Sequence, residues 1–303
     1  MSRKWPFLLL LFILLGGGGA FAWQAMLGRM ERALEAWAEA RRAEGWRVVH
    51  DAPRRGPLPW RPEVTLPDFE AASPLGLGVR AERLSIAVLP WEPRTALLSP
   101  GGDVALRAGG DWFPLRTADL EGRAALDGSD LLWLGEDVAL GTVEARRIAL
   151  RWRDRHLTAT AEGARSGPVQ LDLVSALLRS DAPLSSPEAF RAAGGQVQIV
   201  RLEARRAEAA LEATGSIALD AALQPEGRGG LVLLNPADGV RVLRDAGMLP
   251  PAAAASLAIV AQIGARVPEG GGAPRLDLPW ELRGGRLSAA RFPVASVPPV
   301  SWR

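Results

Sequence analysis

The chain has 303 residues, 48% of them hydrophobic and 23% charged, so it carries enough apolar mass to bury a core and offset the entropy of ordering the backbone. It contains no Cys, which excludes disulfide frameworks, thiolate-bound zinc, iron–sulfur clusters and thiol nucleophiles. The pI near 10.1 accompanies a formal charge of only +2, because a chain without Tyr or Cys has little to titrate above neutrality. Its Arg residues are interleaved with Asp and Glu rather than concentrated in a basic surface, so nucleic acid is not expected as a partner.

Arg3 and Lys4 precede an uncharged run from Trp5 to Trp23. At 1.5 Å per helical residue that run is just long enough to cross a hydrocarbon core of about 30 Å, and Trp at each end suits the two interfaces. Trp5, Phe7, Leu11, Leu15 and Trp23 are therefore the expected membrane anchor. Positive charge ahead of the span predicts a single-pass inner-membrane protein with a cytoplasmic N-terminus and a periplasmic body, its partners being inner-membrane lipids. The competing expectation is a cleaved signal ending at the small-x-small tripeptide Ala20-Phe21-Ala22, which would leave a soluble periplasmic protein. Leu27, Met30, Leu34 and Trp37 recur at helical spacing, so an amphipathic helix is expected to continue out of the span until Gly45 stops it. The expected segments are a tail at 1–4, a signal-anchor at 5–23, a linker helix at 24–45 and an exported β-rich domain at 46–303.

From Trp46 onward the apolar period is two. Leu84, Ile86 and Val88 make one short example, and Leu120, Ala124 and Leu126 another. Ile148, Leu150 and Trp152 alternate with arginines, Asp154-Arg155 can turn, and Leu157, Ala159 and Ala161 alternate again, which predicts a hairpin. Glu208 to Asp220 reads as a half-buried strand, and Leu276 to Leu282 as another, with Gly284-Gly285 turning into Arg286-Leu287-Ser288. One-sided alternation is the pattern of antiparallel sheets with one covered and one wet face. The fold class expected is mainly β: a curved antiparallel sheet or sandwich with a few short helices. Those helices are placed near Val169 to Arg179, after Asn235-Pro236 to about Ala246, and from Pro251 to Gly264, with loops at Pro183 to Pro187 and Pro268 to Pro274. The tripeptide Leu-Pro-Trp recurs at 58–60, 89–91 and 278–280 without a fixed period; a strand edge or bulge at Pro and a Trp covering the sheet end account for it better than an aromatic binding cluster.

The order of these pieces resembles one family. The signal-anchor, the helix with Trp37, the Gly45-Trp46 stop, Val48-Val49 and the passage into Leu84-Ser85-Ile86 and Trp91-Glu92-Pro93 are similar to the opening of the domain-of-unknown-function 2125 family of Gram-negative envelope proteins. Ala213 to Asp220, Gly229 to Leu233, Val240 to Leu249 and Leu278 to Leu287 resemble its back half, whereas Asp111 to Leu140 matches nothing. The resemblance implies a membrane-tethered exported β-rich domain. A looser similarity of arrangement is to AsmA-like envelope proteins, which implies lipid carriage on a curved sheet.

No residue set reads as a catalytic, cofactor or metal site. Gly76-Leu77-Gly78-Val79-Arg80-Ala81 fits a dinucleotide fingerprint in letters but precedes a strand instead of opening a helix. A triad base would have to be His50, beside Asp51, or His156, at the expected hairpin tip, and Glu136-Asp137 read as a solvated pair. The expectation is a non-enzymatic structural or interaction protein of the cell envelope. The alternative is lipid or apolar-ligand binding in a curved-sheet groove, with Arg147, Arg151 and Arg153 near its edge for anionic headgroups.

Overall fold

The computed structural model describes residues 5–56, 61–89, 91–108, 110–182, 186–245, 251–290 and 292–302; the side chains of 5–22, 243, 251–253 and 292 lie outside that description. The chain opens with helix α1 (Trp5–Ala43) and then enters strands β1 (Arg47–Val49), β2 (Arg54–Arg55), β3 (Glu63–Ala72), β4 (Gly78–Val88) and β5 (Thr95–Ala108). Strands β6 (Asp111–Arg116), β7 (Asp119–Ala125), β8 (Asp130–Leu140), β9 (Val143–Arg153), β10 (His156–Ser166) and β11 (Val169–Ser180) follow. Helix α2 (Pro187–Ala192) leads into β12 (Val197–Arg206), β13 (Ala209–Leu219) and β14 (Pro225–Leu234). Helices α3 (Pro236–Asp245) and α4 (Pro251–Gly264) precede β15 (Arg275–Arg283), β16 (Arg286–Ala289) and β17 (Phe292–Ser296).

All the strands belong to one antiparallel sheet, and almost every strand pairs with its neighbours in sequence. Strand β3 carries β1 beside one half and β2 beside the other, which makes them a divided edge. Strands β6 and β7 likewise divide one position, both pairing with β5 and β8. The far edge is β17. The fold is thus a single long meander rather than a sandwich.

Two-residue turns set its register. Asp154 and Arg155 both have positive φ, 46° and 66°, as do Gly284 and Gly285, 56° and 72°; this is the geometry whose twist matches antiparallel strands. The predicted β9–β10 and β15–β16 hairpins form on these turns, with Trp152 opposite Leu157 and Leu282 opposite Leu287.

Helix α1 ends as Gly45 predicts. With φ of 85° there, Gly45 N–H donates to Arg42 O and Trp46 N–H to Arg41 O, both at 3.0 Å, closing off two of the helix's last carbonyls. The inward stripe is Trp23, Leu27, Met30, Leu34 and Ala38; Trp37, expected to share it, is 40% exposed because Ala38 takes the place beneath the turn. The stripe packs on Val64, Leu66, Leu84, Ile86, Val88 and Ala96 of β3 to β5. Full burial of each such aliphatic side chain contributes about 1.5–3 kcal/mol, so this contact is a main stabilising element.

Arg55 pins the helix from the side. Its Nε and Nη2 donate to the two Glu31 carboxylate oxygens at 2.8 and 2.7 Å, and its Nη1 to Gln24 Oε1 at 2.7 Å. That hydrogen bond holds the Glu31 carboxyl below its ordinary value of 4.5. A depressed carboxyl contributes stability above its unfolded pKa and loses it as pH falls through the folded one. Arg55→Ala is therefore expected to lower thermal stability near neutrality, and the gap between the two proteins should close as a pH series is taken below 4.5.

Three expectations need correction. Val169 to Arg179, expected to be helical, is β11, held by β10 on one side and β12 on the other. Part of the expected Pro183 to Pro187 loop is helix: Ser186 accepts from Ala189 N–H at 3.1 Å as N-cap of α2, with Pro187 in the first turn. The sandwich alternative gives way to the single sheet. The mainly antiparallel class, α3 after Asn235 and α4 at 251–264 stand as expected. Among the described residues no helix is long and apolar enough to cross a membrane; the expected span itself, apart from Trp23, has its side chains outside those residues.

Candidate functional site

Residues directly opposite each other on antiparallel strands share a face, so the pairings trace one surface across the sheet. Val64 faces Ile86, Ile86 faces Leu98, Leu98 faces Gly122, Gly122 faces Trp133, and Trp133 faces Leu150. The line continues through Ala159, Ala176, Leu202, Ala213 and Leu231 to Leu278. Every member is apolar or glycine. On the other face Arg151 lies opposite Thr158, Ser175 opposite Glu203, and Glu203 opposite Glu212.

This apolar face is filled at one end and open along its middle. Beneath α1, Val64 is 0% exposed, Leu66 2%, Val88 3% and Ile86 7%. A second cluster of Ala81, Val104, Leu115 and Val138 fills the far ends of β4 to β8. From β9 to β14 the same face carries Trp152, Leu157, Val174, Leu178, Ile199, Leu202, Leu211, Leu231 and Leu233, all partly exposed, and Leu150 is 38% exposed, while the small Ala209 and Ala213 of β13 are buried among them. With strands about 4.8 Å apart and about 3.3 Å per residue, the part across β9 to β12 that no helix or indole overlies measures roughly 14 by 33 Å.

Beyond β14 the face closes again. Leu276, Trp280 and Leu282 of β15 are 7–9% exposed. A Cβ on Gly229 would lie 2.6 Å from Trp280 Nε1, and one on Gly215 2.5 Å from its Cζ2, so the indole lies in a slot that only glycines leave vacant. Its Nε1–H donates to Thr214 O at 2.9 Å, which satisfies the one polar atom of the ring. Gly122 and Trp133 repeat the arrangement across β7 and β8, where a Cβ would meet Trp133 Cζ3 at 2.8 Å.

The family model described as "Uncharacterized protein conserved in bacteria (DUF2125)" matches residues 23–298. The chain belongs to DUF2125. No curated protein and no solved structure matches it, so the looser likeness to AsmA-like proteins is not shown. The DUF2125 match takes in the described half of α1 and the whole sheet, including the Gly215 and Gly229 strands and Trp280 that carried the resemblance in the sequence.

Sequence-predicted positions fall as follows. Arg147, Arg151 and Arg153 lie on the polar face, away from the open apolar one, and each has a carboxylate nearby. Arg151 Nε donates to Asp130 Oδ1 at 2.9 Å, Arg147 lies 3.4 Å from Glu136, and Arg153 lies 3.7 Å from Asp154. The Arg151 hydrogen bond holds the Asp130 carboxyl below the usual range. His156 is exposed on the β9–β10 turn. His50 lies against α1, its Nε2 3.9 Å from Glu35 and its Nδ1 2.9 Å from Asp51 O. Glu136 and Asp137 are exposed, with Asp137 at φ 49°. Gly76 sits in the turn before β4, and Gly78 begins that strand. Among the described residues no three acidic or imidazole side chains converge on a point that could hold a metal.

Two shallow depressions complete the surface. One of about 280 Å³ is lined by Asp137, Val138, Arg146, Gly163 and Arg165 at the ends of β8 to β11. The other, about 290 Å³, is lined by Pro74 of the β3–β4 turn together with Pro187, Leu223 and Trp302. The C-terminal tail helps to bring these distant residues together: Trp302 Nε1–H donates to Leu223 O at 2.8 Å, and Val300 N–H to Gln224 Oε1 at 2.8 Å. The alternating strands are legible in the sequence; that the open stretch lies between two filled ones is not. No periodicity signals that, since a strand alternates identically under a helix and under solvent.

Proposed function

We propose that this DUF2125 protein is a non-enzymatic, inner-membrane-anchored protein of the periplasmic side that binds acyl chains on the open apolar face of β9 to β14. The observation that carries the reading is the contrast in burial along one continuous face: aliphatic side chains under α1 are sealed, and the large ones farther along are partly exposed. A lipid chain laid there gains about 0.8 kcal/mol per methylene removed from water, roughly 8 kcal/mol for ~10 methylenes before the cost of association. The uncharged run from Trp5 to Trp23, the first part of α1, supports the anchor, and an anchored chain would have a source of such chains beside its sheet.

Titration of the full chain with a fluorescent fatty acid tests the reading. Saturable binding, competed by unlabelled fatty acid, is expected. Emission no different from that of a protein without an apolar surface would overturn it. Saturation that vanishes whenever the chain dimerises would assign the face to a protein partner instead, the structural role expected from the sequence.

A further inference from the structure

The direction of α1 marks one end of the sheet. Gln24 and Glu31 bond Arg55, which pairs with Val64 at the start of β3, whereas Arg42, farther along the helix, donates from Nε to Val48 O opposite Ala71 near its end. The helix therefore runs along β3 in the same sense, and its apolar N-terminal run leaves from the end where β3 begins. By register that is also where β4 ends at Val88, β5 begins opposite it at Ala96, and β7 ends opposite Ala96 at Ala124.

The two turns at this end expose large apolar side chains. Trp91, between β4 and β5, is 70% exposed, and Leu126, between β7 and β8, is 60% exposed. The turns touch: Leu126 N–H donates to Arg94 O at 3.0 Å. A protruding Trp beside a protruding Leu, on the end from which an uncharged 5–22 run departs, matches the arrangement that interfacial aromatics adopt at a bilayer. The turns carry charges of both signs, Asp127 beside Arg94, with Asp130 opposite Arg153 at the adjoining strand ends, so attraction to the surface is apolar rather than coulombic.

We propose that the Trp91 and Leu126 turns rest in the headgroup layer of the leaflet from which α1 emerges, making a second membrane contact. This rests on the anchor reading above. Its consequence is a port: the first apolar-face side chains beyond these turns are Leu131, Trp152 and Leu157, mutually opposed on β8, β9 and β10. An acyl chain leaving that leaflet would meet them first and pass onto the open face without crossing water.

A chain without Cys allows a single probe at a chosen site. The full chain is reconstituted in phosphatidylcholine vesicles as Leu126→Cys or Thr142→Cys, the latter in the turn at the opposite end of β8, and labelled with a polarity-sensitive fluorophore. Both turns are exposed, so neither change disturbs the fold. Expected is a blue-shifted Leu126 label, about five-fold less accessible to an aqueous quencher than the Thr142 label, and unchanged by added salt. Equal quenching of both labels on vesicle-bound protein would overturn this inference and leave the anchor intact. Protein that does not float with the vesicles would overturn the anchor reading and the second contact with it.

Discussion

Leu202→Asp leaves the protein folded and removes acyl-chain binding, whereas Leu66→Asp leaves no folded protein to assay. The two leucines stand on the same face of the same sheet, and only their cover differs. Leu66 is 2% exposed under α1, so a carboxylate there loses its hydration in an apolar cluster. An unpaired buried charge costs several kcal/mol on top of the lost apolar contact, a large share of a native stability of about 5–15 kcal/mol. Leu202 sits in the middle of the open stretch, opposite Ala176 on β11 and Ala213 on β13, and water reaches it. An aspartate there stays hydrated while the face is empty and must be desolvated when an acyl chain lies over it. Affinity is expected to fall by about tenfold or more, since each 1.4 kcal/mol is a factor of ten. Circular dichroism melts with fatty-acid titration read both effects. Unfolding of Leu202→Asp would mean that the face is filled, and undiminished binding would place the ligand elsewhere.

The second large effect concerns Trp280 and the glycines beneath it. Trp280→Ala is expected to cost about 3–5 kcal/mol, the range for truncating a buried aromatic, and to lower the melting temperature by on the order of 10 °C. The reverse change is worse. A Cβ on Gly229 would collide with Thr214 O as well as with the indole, and backbone cannot move aside without parting β13 from β14. Gly229→Val should fail to fold even at low temperature. If Gly229→Val melts with the parent, the indole slot is not where the register places it. The contrast also separates floor from ligand site: Trp280→Phe keeps one aromatic ring but loses the second ring and the donor to Thr214 O, so it should cost stability of about 1–3 kcal/mol and leave fatty-acid binding unchanged.

Much of the sheet was legible because its signals are local. The turn at Asp154-Arg155, the glycine pair at 284–285 and the stop at Gly45 act through the backbone of the residues themselves. Strand β11 was misread because Leu173, Val174, Leu177 and Leu178 sit at helical spacing; two of them lie opposite polar-face residues, Glu162 and Thr158, and a register shift falls between Leu177 and Leu178. What made it a strand is its pairing on both edges, which is not written within it. Helix α2 did carry its signal, Ser186 followed by Pro187 and Glu188, inside a stretch whose prolines suggested only loop. The slot for Trp280 was hidden for another reason: its glycines come from two other strands. The open face lay deepest, since it depends on where α1 stops covering the sheet.

Mass spectrometry of lipid retained by the full chain, purified from membranes and exchanged into lipid-free detergent, addresses the open face most directly. Phospholipid or fatty acid held by the parent protein and absent from Leu202→Asp prepared alongside it is the expected result. Equal lipid on both, or none on either, would contradict it.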